Sequence, residues 1–199
     1  NVSWKTGIIY SFAHWLLQTP WRRMGDRFPN YAQCEKLGRL VAARQHRQFT
    51  NDMIRQVLTL ALLHTHVDSL PEDEYICLIG DGYGVLSALL SLIFPNNKII
   101  MVNLAAPLGA DMAYFSRVMQ NGDIALAVDK DTMTNAIAQE NIRCIAVHAD
   151  QTELIRIAKI GLAANISSMQ EMNLETINAY FGHLRNNKSS RTLFYCCNR

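Results

Sequence analysis

The chain has 199 residues, 49% of them apolar and 18% charged, with 10 Gly and 5 Pro, a composition that excludes disordered, collagen-like and disulfide-stapled chains and leaves room for a sizeable core. A formal charge of +2, from 19 Lys and Arg against 17 Asp and Glu, is too balanced for a protein that coats nucleic acid. The balance is uneven, with nine basic against three acidic side chains over residues 1–55 and ten against fourteen over residues 56–199.

The first 70 residues read as helices, because apolar side chains recur at intervals of three and four. Thr19-Pro20-Trp21-Arg22-Arg23 is expected to break the chain at its proline. Tyr31–Gln48 carries a stripe through Cys34, Leu37 and Val41, with Lys36, Arg39, Arg44 and Arg47 on the other face. Asn51 is expected to cap a helix to His66 that buries Met53, Ile54, Val57, Leu58, Ala61 and Leu62.

From Glu74 the texture changes to short strands alternating with helices, the pattern of a parallel sheet with crossover helices. Tyr75–Ile79 is a buried strand, followed by a glycine turn and an apolar helix, Val85–Phe94, stopped by Pro95. Lys98–Val102 is the second strand. A helix from Pro107 to Gln120 has Leu108, Met112, Phe115 and Met119 as its inner face and Asn121-Gly122 as its stop. Ile124–Val128 is ambiguous, with an edge strand as one reading, and Asp131–Glu140 is a polar helix. Arg143–His148 is a strand, and Asp150 with Glu153 forms a capping box for a helix to Ile160. Leu162–Ile166 is the next strand. Asn173 caps a helix with the stripe Leu174, Ile177, Tyr180, Phe181 and Leu184, and Thr192–Cys197 is the last strand.

Cys34, Cys77, Cys144, Cys196 and Cys197 are odd in number and contain no C-x-x-C, so they read as reduced thiols of a cytoplasmic protein, packed as small buried apolar side chains. No metal site is expected. No stretch resembles a secretory signal, and the longest apolar run, around Val85–Phe94, is too short to span a bilayer. The Asn at position 1 suggests a processed, trimmed or partly cloned chain.

The informative stretch is Ile76-Cys77-Leu78-Ile79-Gly80-Asp81-Gly82-Tyr83-Gly84, a strand running into Gly-x-Gly-x-Gly and then a helix. Glycines there let the backbone turn sharply and approach a ligand at the carboxyl end of a strand, where open α/β sheets bind. A dinucleotide fingerprint needs its third glycine at position 85, which is Val85. That disfavours a nicotinamide-linked dehydrogenase.

The spacing of Gly80, Gly82 and Gly84 resembles the first motif of class I S-adenosylmethionine-dependent methyltransferases. Together with Met101-Val102-Asn103-Leu104, Asn165-Ile166-Ser167-Ser168-Met169-Gln170-Glu171-Met172 and Phe194-Tyr195-Cys196-Cys197-Asn198-Arg199, it resembles the sugar O-methyltransferase family of that class over roughly residues 70–199. The resemblance implies a Rossmann-like α/β domain over residues 71–199, preceded by a helical cap over residues 1–70 on the substrate side. A final antiparallel strand pair is expected after Arg199 and is missing from this sequence.

By the same resemblance the cofactor is S-adenosylmethionine. Gly80, Gly82 and Gly84 would pass close to its methionine end, with Ile79 and Asp81 of the same turn also binding the cofactor, Asn103 at the ribose hydroxyls and Leu104 beside the adenine. Ala149 and Asp150 would line the adenine, Asp150 either accepting from its amine or merely capping the helix, and Asn165 would lie in the loop after the fourth strand. Two positions depart from the superfamily: Leu78 and Asn103 stand where acids are usual. Loss of charge-assisted bonds there is expected to weaken cofactor affinity by about one to two orders of magnitude.

Methyl transfer to a hydroxyl needs in-line alignment and a base. Glu171, the only carboxylate in the loop 165–172, is the first candidate, and His148 at a strand end the second. Gln170 would orient the hydroxyl. His14 and Trp15 are candidates for stacking on a sugar face, and Arg22 and Arg23 for attracting an anionic sugar. The expected partner is therefore a sugar acceptor, with neither nucleic acid nor a membrane span. The alternative reading is a non-catalytic methyltransferase-like binding module, motivated by Leu78, Asn103 and the missing strands.

Overall fold

The computed structural model describes residues 13, 15–67, 69–119 and 123–198. The chain divides into two compact units, Asn1–Asp68 and Ser69–Arg199. Among the described residues no helix is long and apolar enough to cross a membrane.

In the first unit, α1 (Thr19–Gly25), α2 (Tyr31–Arg44) and α3 (Asn51–His66) pack around Tyr31, Cys34, Val41, Met53, Ile54, Val57, Leu60 and Ala61. The expected break at Pro20 is instead the start of α1. Proline in a first turn lacks an N–H that would have no helical partner there anyway, so it begins a helix as readily as it ends one. The cap of α3 is Thr50, whose hydroxyl accepts from Met53 N, one residue before the expected Asn51. Glu35 ties α1 to α2 by accepting from Arg22 at 3.4 Å, and within α2 it accepts from Arg39 at 2.6 Å.

The second unit is an α/β fold, Rossmann-like in general, with one six-stranded, all-parallel sheet. Its strands are β1 (Tyr75–Ile79), β2 (Ile99–Asn103), β3 (Asp123–Ala127), β4 (Ile142–His148), β5 (Ile160–Ile166) and β6 (Leu193–Cys197), in the order β3-β4-β2-β1-β5-β6. The ambiguous run at 124–128 is thus an edge strand. Between the strands lie α4 (Val85–Ile93), α5 (Ala105–Val118), α6 (Lys130–Ala138), a 3₁₀ segment (Ala149–Ile157) and α7 (Leu174–Arg185). The inner strands are apolar at nearly every position because both faces of the sheet are covered. Cys77, Ile79, Ile100, Val102, Ile145 and Val147 pack with Met133 and Ala136 of α6, Leu154 and Ile155, and Tyr180 and Leu184 of α7. Their strand neighbours Ile76, Leu78, Ile99, Met101, Cys144 and Ala146 are equally buried and alternate onto the opposite face, where α4 and α5 lie.

Three further expectations give way to the structure. The segment after β4 is 3₁₀ rather than an α-helix to Ile160, and its cap is the His148 side chain, whose Nδ1 accepts from Asp150 N at 3.2 Å; the Asp150–Glu153 capping box does not form. The buried face of α5 consists of Leu108, Asp111, Phe115 and Val118 rather than Leu108, Met112, Phe115 and Met119, and the Asn121-Gly122 stop lies outside the described residues. Cys34, Cys77 and Cys144 are buried, but Cys196 and Cys197 are exposed. They lie on β6, an edge strand covered on one side only. The Asn173 cap of α7 is present, accepting from Thr176 N at 2.8 Å.

Candidate functional site at the carboxyl edge of the sheet

The chain runs outward from β1 through β2 to β3 and β4, then crosses back to place β5 on the other side of β1. The carboxyl ends of β1 and β5 therefore flank the point where strand order reverses, the usual ligand crevice of an open parallel sheet. Register aligns the residues of that edge: His148 pairs with Asn103, Val102 with Ile79, Ile79 with Asn165, and Asn165 with Cys196.

The glycine turn leaves β1 with four positive φ angles, at Gly80 (70°), Gly82 (55°), Tyr83 (80°) and Gly84 (60°). Two of its glycines are required by packing as well. A Cβ on Gly84 would lie 2.6 Å from the backbone oxygen of Asp111, and one on Gly80 would overlap the Ser168 side chain, whereas one on Gly82 would meet nothing within 4 Å. Gly82 is the position that opens onto free space.

Two carboxylates hold the turn. Asp81 accepts from Leu86 N at 3.0 Å and Ser87 N at 2.8 Å, so it caps α4. Asp111, on the buried face of α5, accepts from Gly84 N at 3.0 Å and from Asn103 Nδ2 at 2.8 Å, and the nearby amides of Tyr83 and Gly82 also favour its charged form. Burial raises the Asp111 pKa above the ordinary carboxylate range despite these bonds. Burial, and then the charge of Asp111, push Asp81 up to about 6.

Asn103 is folded back onto the protein, its Oδ1 accepting from Leu104 N at 2.9 Å while its Nδ2 donates to Asp111. Leu104 and Tyr83 are exposed, and the Tyr83 ring meets Tyr114 edge to face at 5.5 Å. Asn165 is buried and stitches the edge together. Its Nδ2 donates to Ile79 O at 2.8 Å, and its Oδ1 accepts from Met169 N at 3.2 Å and Asn198 Nδ2 at 3.1 Å. Ser168 Oγ donates to the same Ile79 oxygen at 3.0 Å, and Ser167 N donates to Cys197 O at 2.9 Å.

The loop after β5 contains a single 3₁₀ turn, Met169–Glu171. Glu171 and Gln170 are exposed on it, and Gln170 N donates to Asn198 Oδ1 at 3.3 Å. His148 is half-buried; with Nδ1 accepting from Asp150 N, its ring proton is assigned to Nε2, so Nδ1 is not free to act as a base. Ala149 is half-buried and Asp150 exposed at the head of the 3₁₀ segment.

The structure thus brings Ile79, Gly80, Asp81, Gly82, Gly84, Asn103, Leu104, His148, Ala149, Asp150, Asn165, Gln170 and Glu171 to one edge. Trp15, Arg22 and Arg23 belong to the helical unit, and His14 lies outside the described residues. The Arg22 guanidinium is engaged by Glu35, by Gln18 Oε1 at 2.9 Å and by Trp15 O; Arg23 is exposed. Sequence reasoning missed Asp111, Ser168 and Asn198. Asp111 could have been found from its place three residues after Leu108 and four before Phe115, on a stripe where an unpaired acid is costly.

No family model matches the chain, and no curated protein matches it. Among solved structures, one titled as the Pyrococcus furiosus Hef helicase domain aligns over 85% of this chain at 9% identity and a TM-score of 0.38. The match spans 36% of that chain's length.

Proposed function

We propose that the Ser69–Arg199 unit is an S-adenosylmethionine-dependent O-methyltransferase domain acting on a sugar hydroxyl. The observation that carries this reading is the glycine turn at the strand-order reversal, opening at Gly82 and bordered on the same edge by the exposed Tyr83 and Leu104 and the acidic Asp81 and Asp150. An acidic edge suits a ligand whose reacting centre is a cation.

The residues present fit the adenosyl part of that ligand. Asn103 keeps one N–H and one oxygen lone pair beyond its bonds to Asp111 and Leu104, enough for a ribose hydroxyl. Leu104 offers an apolar side chain to the adenine, and the exposed Asp150 an acceptor for its amine. When bound, the cofactor supplies an electrophilic methyl group on a sulfonium. Glu171 takes the proton of the attacking hydroxyl and Gln170 orients that hydroxyl. A cytosolic setting belongs to the same reading and is supported by the free thiols.

A non-catalytic binding module is the second reading, favoured by one observation: the Asn103 side chain is committed to Asp111 and to its own neighbour. Calorimetric titration of the full chain with S-adenosylmethionine, S-adenosylhomocysteine and NAD, followed by methyl transfer to a panel of sugars, separates the two. Micromolar binding of the sulfur nucleosides, with Glu171→Gln keeping that affinity and losing about 10²-fold or more in turnover, is the expected result. Binding without transfer to any sugar selects the module, and a folded chain that binds neither sulfur nucleoside sinks both.

A further inference from the structure

Backbone amides that converge at a strand–turn–helix junction ordinarily form an anion site, which is how glycine turns hold phosphates. In this protein those amides already face carboxylates. Leu86 N and Ser87 N donate to Asp81, while Gly84 N donates to Asp111 and the amides of Tyr83 and Gly82 lie close enough to favour its charge. Asp111 reaches the turn from α5, 27 residues further along the chain, and is fully buried. It is also fixed from its far side: one oxygen takes Gly84 N while the other takes Asn103 Nδ2. The main chain of α5 closes on the same turn, with Asp111 O only 2.6 Å from where a Gly84 Cβ would stand.

We propose that Asp111 is a specificity-determining residue: its carboxylate is a built-in occupant of the Gly82–Gly84 amide nest, and it bars phosphate-bearing nucleotides from the carboxyl edge while leaving that edge open to uncharged and cationic nucleosides. A phosphate approaching the turn meets a Gly84 amide that is already bonded and two carboxylates of its own sign. Displacing Asp111 would strand a buried charge beside Asn103, which no solvent relieves. Asp111 governs which ligands can enter, and it does so whether or not the edge transfers a methyl group.

The test follows the backbone amides of Gly82, Tyr83 and Gly84 by NMR in the full-length, ¹⁵N-labelled chain during titration with inorganic pyrophosphate and with NAD. Wild type is expected to show no saturable shift at these amides. Asp111→Ser, which empties the nest, is expected to bind pyrophosphate there about tenfold or more tightly than wild type. Asp111→Asn keeps the shape and removes the charge; it is expected to fall between the two, and it carries the test where the serine variant does not fold. Pyrophosphate or NAD shifting these amides in wild type overturns the proposal. So does wild-type behaviour in every folded variant, since a residue that merely tethers the turn changes stability and gains no anion affinity.

Discussion

Asp81 is a carboxylate whose surroundings work against its charge. The two amides at the head of α4 favour the ionised form, but burial and the neighbouring Asp111 outweigh them and move its titration to about pH 6. In the unfolded chain the same group ionises near pH 4. Between those values the folded protein binds more protons than the unfolded one, so stability falls as pH rises through the window and levels off above it. The effect is at most about 3 kcal/mol, since each tenfold change in proton affinity is worth roughly 1.4 kcal/mol. Asp111, raised by burial, adds in the same direction. Asp73, held below the usual range first by its bond from Lys159, and Asp129, held low by its bonds from Thr132, act oppositely and at lower pH. Urea denaturation of wild type and Asp81→Asn across pH 4 to 7 measures the difference: the wild type is expected to lose stability relative to the variant as pH rises. Parallel stability curves would show that Asp81 titrates alike in both states.

At the scale of elements, the turn between β1 and α4 shows how two glycines with the same backbone angle differ in cost. Gly82 and Gly84 have φ of 55° and 60°, so alanine at either incurs left-handed strain of about 1–2 kcal/mol. At Gly82 the new methyl meets open space, whereas at Gly84 it meets the α5 backbone at 2.6 Å. Gly84→Ala is therefore expected to destabilise by about 3 kcal/mol or more and Gly82→Ala by the strain alone, as read from urea midpoints; equal losses would mean that α5 does not press on the turn. Most strands and the turn were legible because a sheet covered on both faces writes continuous apolar runs into the chain, and a strand-to-helix turn writes glycines. Asp111 was passed over, since a helical stripe counted only in apolar residues skips an acid whose position on it was legible but whose amide partner lies 27 residues away. The 3₁₀ segment after β4 was missed for a related reason: Asp150 and Glu153 fit a capping box by spacing, but a histidine side chain at the end of the strand had already taken Asp150 N.

Across the whole molecule the five thiols report on both units at once. Cys34 sits in the core of the helical unit, and Cys77 and Cys144 lie in the middle of β1 and β4; all three are fully buried, and burial raises their pKa values, to about 11 for Cys34 and about 12 for Cys77. A buried, protonated thiol is a poor nucleophile, so none of the three reacts until its surroundings open. Cys196 and Cys197 end the edge strand β6 in solvent, where Cys196 Sγ accepts one bond from Asn198 at 2.8 Å. A thiol reagent such as dithionitrobenzoate is therefore expected to modify two cysteines of the native chain quickly and all 5 in denaturant. Mass mapping should place the fast pair at Cys196 and Cys197. A third fast thiol would identify the unit at fault: Cys34 would mean that the packing of α2 against α3 is looser than its buried face implies, and Cys77 or Cys144 that a central strand is accessible. Stepwise release in increasing denaturant carries the comparison further. Loss of protection at Cys34 before Cys77 and Cys144 means that the helical unit opens below the global transition, and simultaneous loss means that both units unfold as one.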